Sequence, residues 1–316
     1  VSREPPPPPE RLGFSGSETL AQLLDLLRRG TDEAASKAAA VLAAQAASSA
    51  DEARRIVLGD GIAQLLLRLR LGCGATSACD PATEHAAHAL VSIGDNIEHQ
   101  DALTQAGALP AAVALLDRGA TTTLREAAAA LVGNLAIKNP PNQAALVAAG
   151  ALPPLVRLLR DGEPTAKEQG CFALWNLACR NTANEAAALA AGAVEPLVAM
   201  VKAGAPAARE EAAGALMNLA AHVEAKAAIV RAGAVAPLVK MLGDGDGMAE
   251  QAAGALMNLA SSHPAGAATS SASLITLVLS ALSLSVVAER LGLAFTSTSH
   301  GLRSSSTSMS YPYTSK

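Results

Sequence analysis

Cys73, Cys79, His85 and His88 are of the residue types that hold zinc, which would need them as a compact tetrahedral set. Their spacing does not suit that role. Five residues separate the cysteines where two to four are usual, and the histidines stand only three apart. A loop insertion in an irregular unit accounts for the two cysteines equally well, so no metal and no cofactor is assigned. Gly243-Asp-Gly-Asp-Gly247 has the composition of a calcium loop without its twelve-residue pattern or closing glutamate. No phosphate loop, nucleophile elbow or metalloprotease helix is present, and no histidine is placed to activate a Ser or Cys, so no catalytic residue is assigned. Cys171 and Cys179 read as small buried hydrophobes.

The chemistry that does recur is that of amides. Asn134, Asn176, Asn218 and Asn258 each open an Asn-Leu-Ala triplet, at intervals of 42, 42 and 40 residues. Asparagine is a mediocre helix former because its amide competes for backbone hydrogen bonds, so its return at one phase calls for a reason. An amide supplies two donors and an acceptor. It can serve the backbone of a bound extended segment, or it can tie neighbouring units together. Eight residues before each asparagine stands a glutamate, Glu126, Glu168, Glu210 and Glu250, read as lying in the first turn of its helix and complementing the dipole. A secondary reading is an acidic rim, blunted by Arg125, Lys167 and Arg209 beside three of the four.

The elements that position these residues follow from a second marker. Gly107, Gly150, Gly192 and Gly233 each begin a Gly-Ala-(Leu/Val) segment, 43, 42 and 41 residues apart. Two markers sharing one period define an array of units. Each unit reads as three helices. A short one over 142–149 ends at Gly150, where glycine accepts a left-handed cap. A second starts with Pro154 in its first turn and stops near Asp161-Gly162. The third covers roughly 165–179, with Leu174 and Leu177 buried. Pro196 and Pro237 repeat the second start. Weaker copies lie upstream: Gly61 to Leu71 and Thr19 to Arg28 match second helices, 86–93 matches a third helix with Ile93 in the asparagine slot, and Gln45 lies 16 residues before Gly61 as Asn134 does before Gly150. The count is about six units between Gly16 and Ser262, the outer two incomplete. Half of the 316 residues are apolar but only 2% are aromatic, the composition of closely packed Ala/Leu helices. A net charge of −4 with interspersed signs excludes a basic nucleic-acid face.

The period, the three-helix grammar and endings such as Gln251-Ala-Ala-Gly-Ala-Leu-Met-Asn-Leu-Ala resemble the armadillo-repeat family, most closely its plant and protist members, over roughly 16–262. The resemblance implies an all-α fold, a right-handed α-solenoid whose third helices line a concave groove, and a non-catalytic scaffold holding a protein or peptide in extended conformation. It implies a groove formed by Gln45, Asn134, Asn176, Asn218 and Asn258. Phe172 and Trp175 lie beside that ladder, either as a recognition hot spot or as core filling. In the family's nuclear-import adaptors the slot four residues before each asparagine carries tryptophan. Here it holds Ala130, Phe172, Gly214 and Gly254, so import of basic signals is the alternative, as is service as the substrate-binding part of a ubiquitin ligase.

Residues 1–15, with Pro5 to Pro9, read as a proline-rich linker, and no basic-then-apolar signal peptide follows Val1, so the chain is expected to be a fragment. In 263–295 the uncharged run Leu274 to Ala288 is too short to span a membrane and suits a capping helix, or else an altered ending. Residues 296–316 read as a flexible serine-rich tail. With four sparse cysteines, the expected location is intracellular, cytoplasmic or nuclear.

Overall fold

The computed structural model describes residues 18–72, 80–119 and 121–261, and among them are seventeen α-helices, one 3-10 turn and no strand. They fall into six units. The first comprises α1 (Leu20–Arg29) and α2 (Asp32–Ser48), and the second α3 (Ala50–Leu58), α4 (Gly61–Gly72) and α5 (Pro81–Gly94). The third has the 3-10 turn Ile97–His99, α6 (Gln100–Gln105), α7 (Ala108–Arg118) and α8 (Thr122–Ala136). The fourth is α9 (Pro140–Ala148), α10 (Leu152–Asp161) and α11 (Pro164–Ala178), and the fifth α12 (Thr182–Ala190), α13 (Val194–Ala203) and α14 (Pro206–Leu219). The sixth, α15 (Val223–Arg231), α16 (Val235–Met241) and α17 (Asp246–Ala260), has all three helices where the sequence suggested an incomplete one. Cys73, Cys79, Pro5 to Pro9, Leu274 to Ala288 and the serine-rich tail lie outside the described residues.

Local chemistry draws the helix boundaries. Gly107, Gly150, Gly192 and Gly233 have φ of 88°, 89°, 76° and 79°, the left-handed region that glycine enters without a side-chain clash. That turn closes the first helix and launches the second: Ala151 N donates to Leu146 O at 3.1 Å and Ala193 N to Ala188 O at 3.1 Å. Pro81, Pro164 and Pro206 open third helices, where a missing N–H costs nothing. Thr19 and Gln22 cap α1 reciprocally.

Third helices stack on third helices, α2 on α5 and so on to α17, and the second helices form a parallel row. The residue after each asparagine (Leu135, Leu177, Leu219, Leu259) and the residue two before (Val132, Leu174, Leu216, Leu256) are buried. Each such side chain contributes about 1.5–3 kcal/mol. Alanines such as Ala128, Ala173 and Ala213, fully shielded, let the stacked helices approach closely. The end of α11 shows how the joints are sealed. A helix leaves its last four carbonyls without intrahelical partners. Here Trp175 O accepts from Asn218 Nδ2 at 3.0 Å, Asn176 O from Gln143 Nε2 at 3.0 Å and Leu177 O from Asn184 Nδ2 at 2.9 Å. Ala178 O accepts from Asn181 N at 3.3 Å. All four are satisfied, three of them by side-chain amides. Among the described residues no single helix is long and apolar enough to cross a membrane.

Candidate functional site

The asparagine ladder sits on the third helices at the phase the sequence indicated, and its amide nitrogens are already engaged. Asn218 Nδ2 donates to Trp175 O at 3.0 Å and Asn258 Nδ2 to Met217 O at 2.8 Å, each reaching back to the last turn of the preceding third helix. Asn134 Nδ2 donates to Val91 O at 3.2 Å and to Asp95 Oδ1 at 2.6 Å. Asn176 instead folds onto its own helix, donating to Phe172 O at 3.0 Å. Three of the four therefore tie neighbouring units together. Among the described residues their Oδ1 atoms accept no hydrogen bond, which leaves one acceptor per rung for a ligand. Gln45, in α2, is half-buried at the N-terminal end of the row.

Phe172 and Trp175 fill steps between adjacent third helices. The Phe172 ring lies against Gly133, so close that a Cβ there would overlap it. Trp175 lies on Gly214, where an added Cβ would come 2.6 Å from Cε2, and Met217 covers Gly254 in the same way. At each of these three joints one large side chain meets one glycine. The glycines four residues before Asn218 and Asn258 are the sockets of this packing, which is why that slot holds no aromatic there. Both aromatics remain partly exposed.

A concave cavity of about 410 Å³ opens where four third helices meet. It is lined by His88 and Val91 of α5 and its capping residue Asp95, Glu126, Ala130 and Asn134 of α8, Gln169 and Phe172 of α11, and Glu211 of α14. Of the expected site residues the structure brings Asn134 and Phe172 into it, while Trp175, Asn176 and Asn218 continue along the same row and Gln45 and Asn258 lie towards its two ends. Asp95 and Glu211 were not singled out in the sequence, and only the doubled acid Glu210-Glu211 could have pointed to the latter.

The cavity is acidic. Glu211 is largely buried and its pKa is pushed up to about 8, first by desolvation and then by the charges of Glu168 and Glu210, with the Phe172 backbone pulling the other way. Its Oε2 is shielded from water and makes no hydrogen bond among the described residues. Burial also raises Asp95, partly offset by the hydrogen bond from Asn134. The glutamates of the eight-before series differ from expectation. Glu126, Glu168, Glu210 and Glu250 are each the fifth residue of their helix and lie past the first turn, because Thr122, Pro164, Pro206 and Asp246 begin the helices one residue earlier than a first-turn role requires. Glu126 reaches the next unit instead, accepting from Thr165 Oγ1 at 2.6 Å, as Glu84 accepts from Thr121 Oγ1 at 2.7 Å. Of the adjacent cations, Arg125 donates to Gly119 O at 2.8 Å and keeps its charge beside Glu126, whereas Arg209 pairs with Asp244 at 2.6 Å. Cys171 is buried, its thiol pKa raised by desolvation and by Glu211 and Glu168, whereas Cys179 is only half-buried, because it caps α11 rather than facing the core. His85 and His88 are on α5, and among the described residues no three His, Cys, Asp or Glu gather to hold a metal.

Residues 122–177 match the HEAT-like repeat and residues 222–261 the armadillo/beta-catenin-like repeat. Among solved structures, a designed armadillo repeat protein is 26% identical with a TM-score of 0.69, covering 76% of this chain and 100% of that one. A second designed armadillo repeat protein, solved in complex with the peptide (KR)4, is 26% identical with a TM-score of 0.67, covering 77% and 100%. An engineered protein is 30% identical with a TM-score of 0.68, covering 76% and 96%. No curated protein sequence matches.

Proposed function

The chain belongs to the armadillo-repeat family, and from that premise we propose that it is a non-catalytic scaffold holding an extended partner segment along its third helices, with a cationic side chain of that segment in the cavity at Asp95, Glu126 and Glu211. The fold is typically a protein-binding scaffold. The observation that carries the finer reading is the cavity itself: three acidic side chains, two amides and the Phe172 ring converge there, and the acids form no ion pair among the described residues. Lys and Arg side chains combine an apolar stem, suited to Phe172, with a charge suited to the acids. The (KR)4 peptide bound by one similar designed protein supports the same chemistry. An intracellular setting, cytoplasmic or nuclear, belongs to this reading and is motivated by the sparse cysteines.

Calorimetric titration with an eight-residue alternating Lys-Arg peptide tests it. Binding should weaken about tenfold or more on Glu126→Gln combined with Asp95→Asn, and should fall steeply with salt. Equal affinity for an Asp-Gly control peptide, or no change in the double variant, would sink the proposal. Preference for a lysine-rich localisation signal over Lys-Arg repeats would turn the reading towards a nuclear-import adaptor. A ubiquitin ligase role would require a catalytic or recruiting domain elsewhere in the gene product.

A further inference from the structure

One slot on the third helices changes chemistry at the cavity. The residue seven before each asparagine is Ala127 in α8, Gln169 in α11, Glu211 in α14 and Gln251 in α17. The two third helices stacked on α14 thus hold a neutral amide where α14 holds an acid. A protonated carboxyl resembles that amide in offering a donor as well as an acceptor, whereas a carboxylate can only accept. Glu211 forms part of the cavity wall. Its Oε2 is buried with no donor among the described residues, and the charges of Glu168 and Glu210 act on it. A carboxylate so placed is deprived of water and meets two like charges, so the empty cavity favours the neutral acid. A cation entering the cavity reverses both conditions, since it brings the opposite charge together with N–H donors.

We propose that the partner's Lys or Arg side chain takes the place of a proton on Glu211, so that capture expels the proton and the grip tightens as pH rises. The inference rests on the cationic occupant argued above and adds the regulation of its binding. The O–H bond of the Glu211 carboxyl breaks, its electron pair stays on the carboxylate, and the proton leaves to solvent. The groups that face Glu211 are mostly acids. Glu210 comes from its own helix, Glu168 and the Cys171 thiol from α11, Glu126 from α8, and Asp95 and His88 from α5 and its cap. From α17, Gly247 packs on Glu210 and Gln251 is neutral. Arg209 of α14, Lys202 of α13 and Lys226 of α15 are engaged elsewhere, with Asp244, Ala232 O and Ser261 O. Lys167 of α11 makes no ion pair with Glu211 among the described residues. In the free protein burial, then Glu168 and Glu210, raise Glu211 to about 8, and the bound cation pulls it down. Affinity therefore climbs with pH up to about 8 and levels off above it, because cation and proton exclude each other reciprocally.

The test titrates the chain with an eight-residue Lys-Arg peptide, acetylated and amidated so that its ends do not titrate. The parent is a His88→Gln chain, because a charged imidazole in the cavity wall would repel the same cation. It is compared with the same chain carrying Glu211→Gln, the amide that α11 and α17 hold in that slot. Calorimetry at pH 6.5 and pH 8.5 gives the affinities, and repetition at pH 7 in buffers of different ionisation enthalpy counts the protons released. The parent should bind about tenfold tighter at pH 8.5 than at pH 6.5 and release about half a proton or more per peptide. With Glu211→Gln the two chains should bind alike at pH 6.5, while at pH 8.5 the variant should be weaker by about tenfold and most of the proton release should vanish. Peptide binding of one strength at both pH values without proton release would overturn this inference and leave the cationic occupant standing. So would a Glu211→Gln chain that keeps the parent's pH dependence. Absence of binding at either pH, with the chain folded by circular dichroism, would end both.

Discussion

At the scale of single residues, Glu211 is the clearest case of a side chain at odds with its surroundings. Its pKa of about 8 lies well above the 4.5 of an exposed glutamate, because burial and two neighbouring acids disfavour its charge. The stabilisation is complete below pH 4.5 and lost as pH rises through about 8, so Glu211→Gln should be nearly silent at pH 4 and stabilising at pH 9. The gain should be on the order of 2 kcal/mol once the part of the side chain that water reaches is discounted. Urea melts at the two pH values measure it, and an equal change at both would contradict the assignment. Residues of this kind were only half legible in the sequence. The four asparagines announced themselves by period, but their bonds to Val91, Trp175 and Met217 did not, because an amide at a groove-facing phase serves a ligand or a neighbour equally well by type. Gln100, Gln143, Asn142 and Asn184 carry no mark of their own within their short helices. What betrays them is a correspondence between units, Asn139 to Gln143 against Asn181 to Glu185, rather than any helical period.

At the scale of elements, helix limits were legible because Gly and Pro mark them by backbone geometry alone. Helix-to-helix fit was not. Whether Gly133, Gly214 and Gly254 were flexible points or sockets depended on which residue lay opposite in the next helix, and that requires the register between helices. With the register known, the large side chain and the glycine at each joint form one packing unit. Gly214→Ala would push the Trp175 indole out of its seat, because the backbone of a buried helix has little room to give. The expected loss is about 1–3 kcal/mol by chemical denaturation. Relieving the overlap with Trp175→Leu in the same chain should recover part of it. If the double variant were no more stable than Gly214→Ala alone, the two positions would not be a coupled pair.

At the scale of the whole molecule, the main helix contacts among the described residues lie within a unit or between adjacent units, so stability is a sum of units and joints rather than the property of one core. Among the described residues the first and sixth units have one joint apiece and the inner units two. Amide exchange should accordingly be slowest in α8 and α11 and quicken towards α2 and α17. Uniform protection along the stack, measured by mass spectrometry, would show that the array unfolds as a single block. The array was the most legible level of all, since a forty-two-residue period survives substitutions that hide any one helix. The seating of Trp175 on Gly214 has an optical consequence at this scale. It is the only tryptophan in the chain, so all the long-wavelength emission of the molecule arises from one seam between the fourth and fifth units. A spectral shift on adding a partner, with no label attached, would report the state of that seam against the background of five silent units.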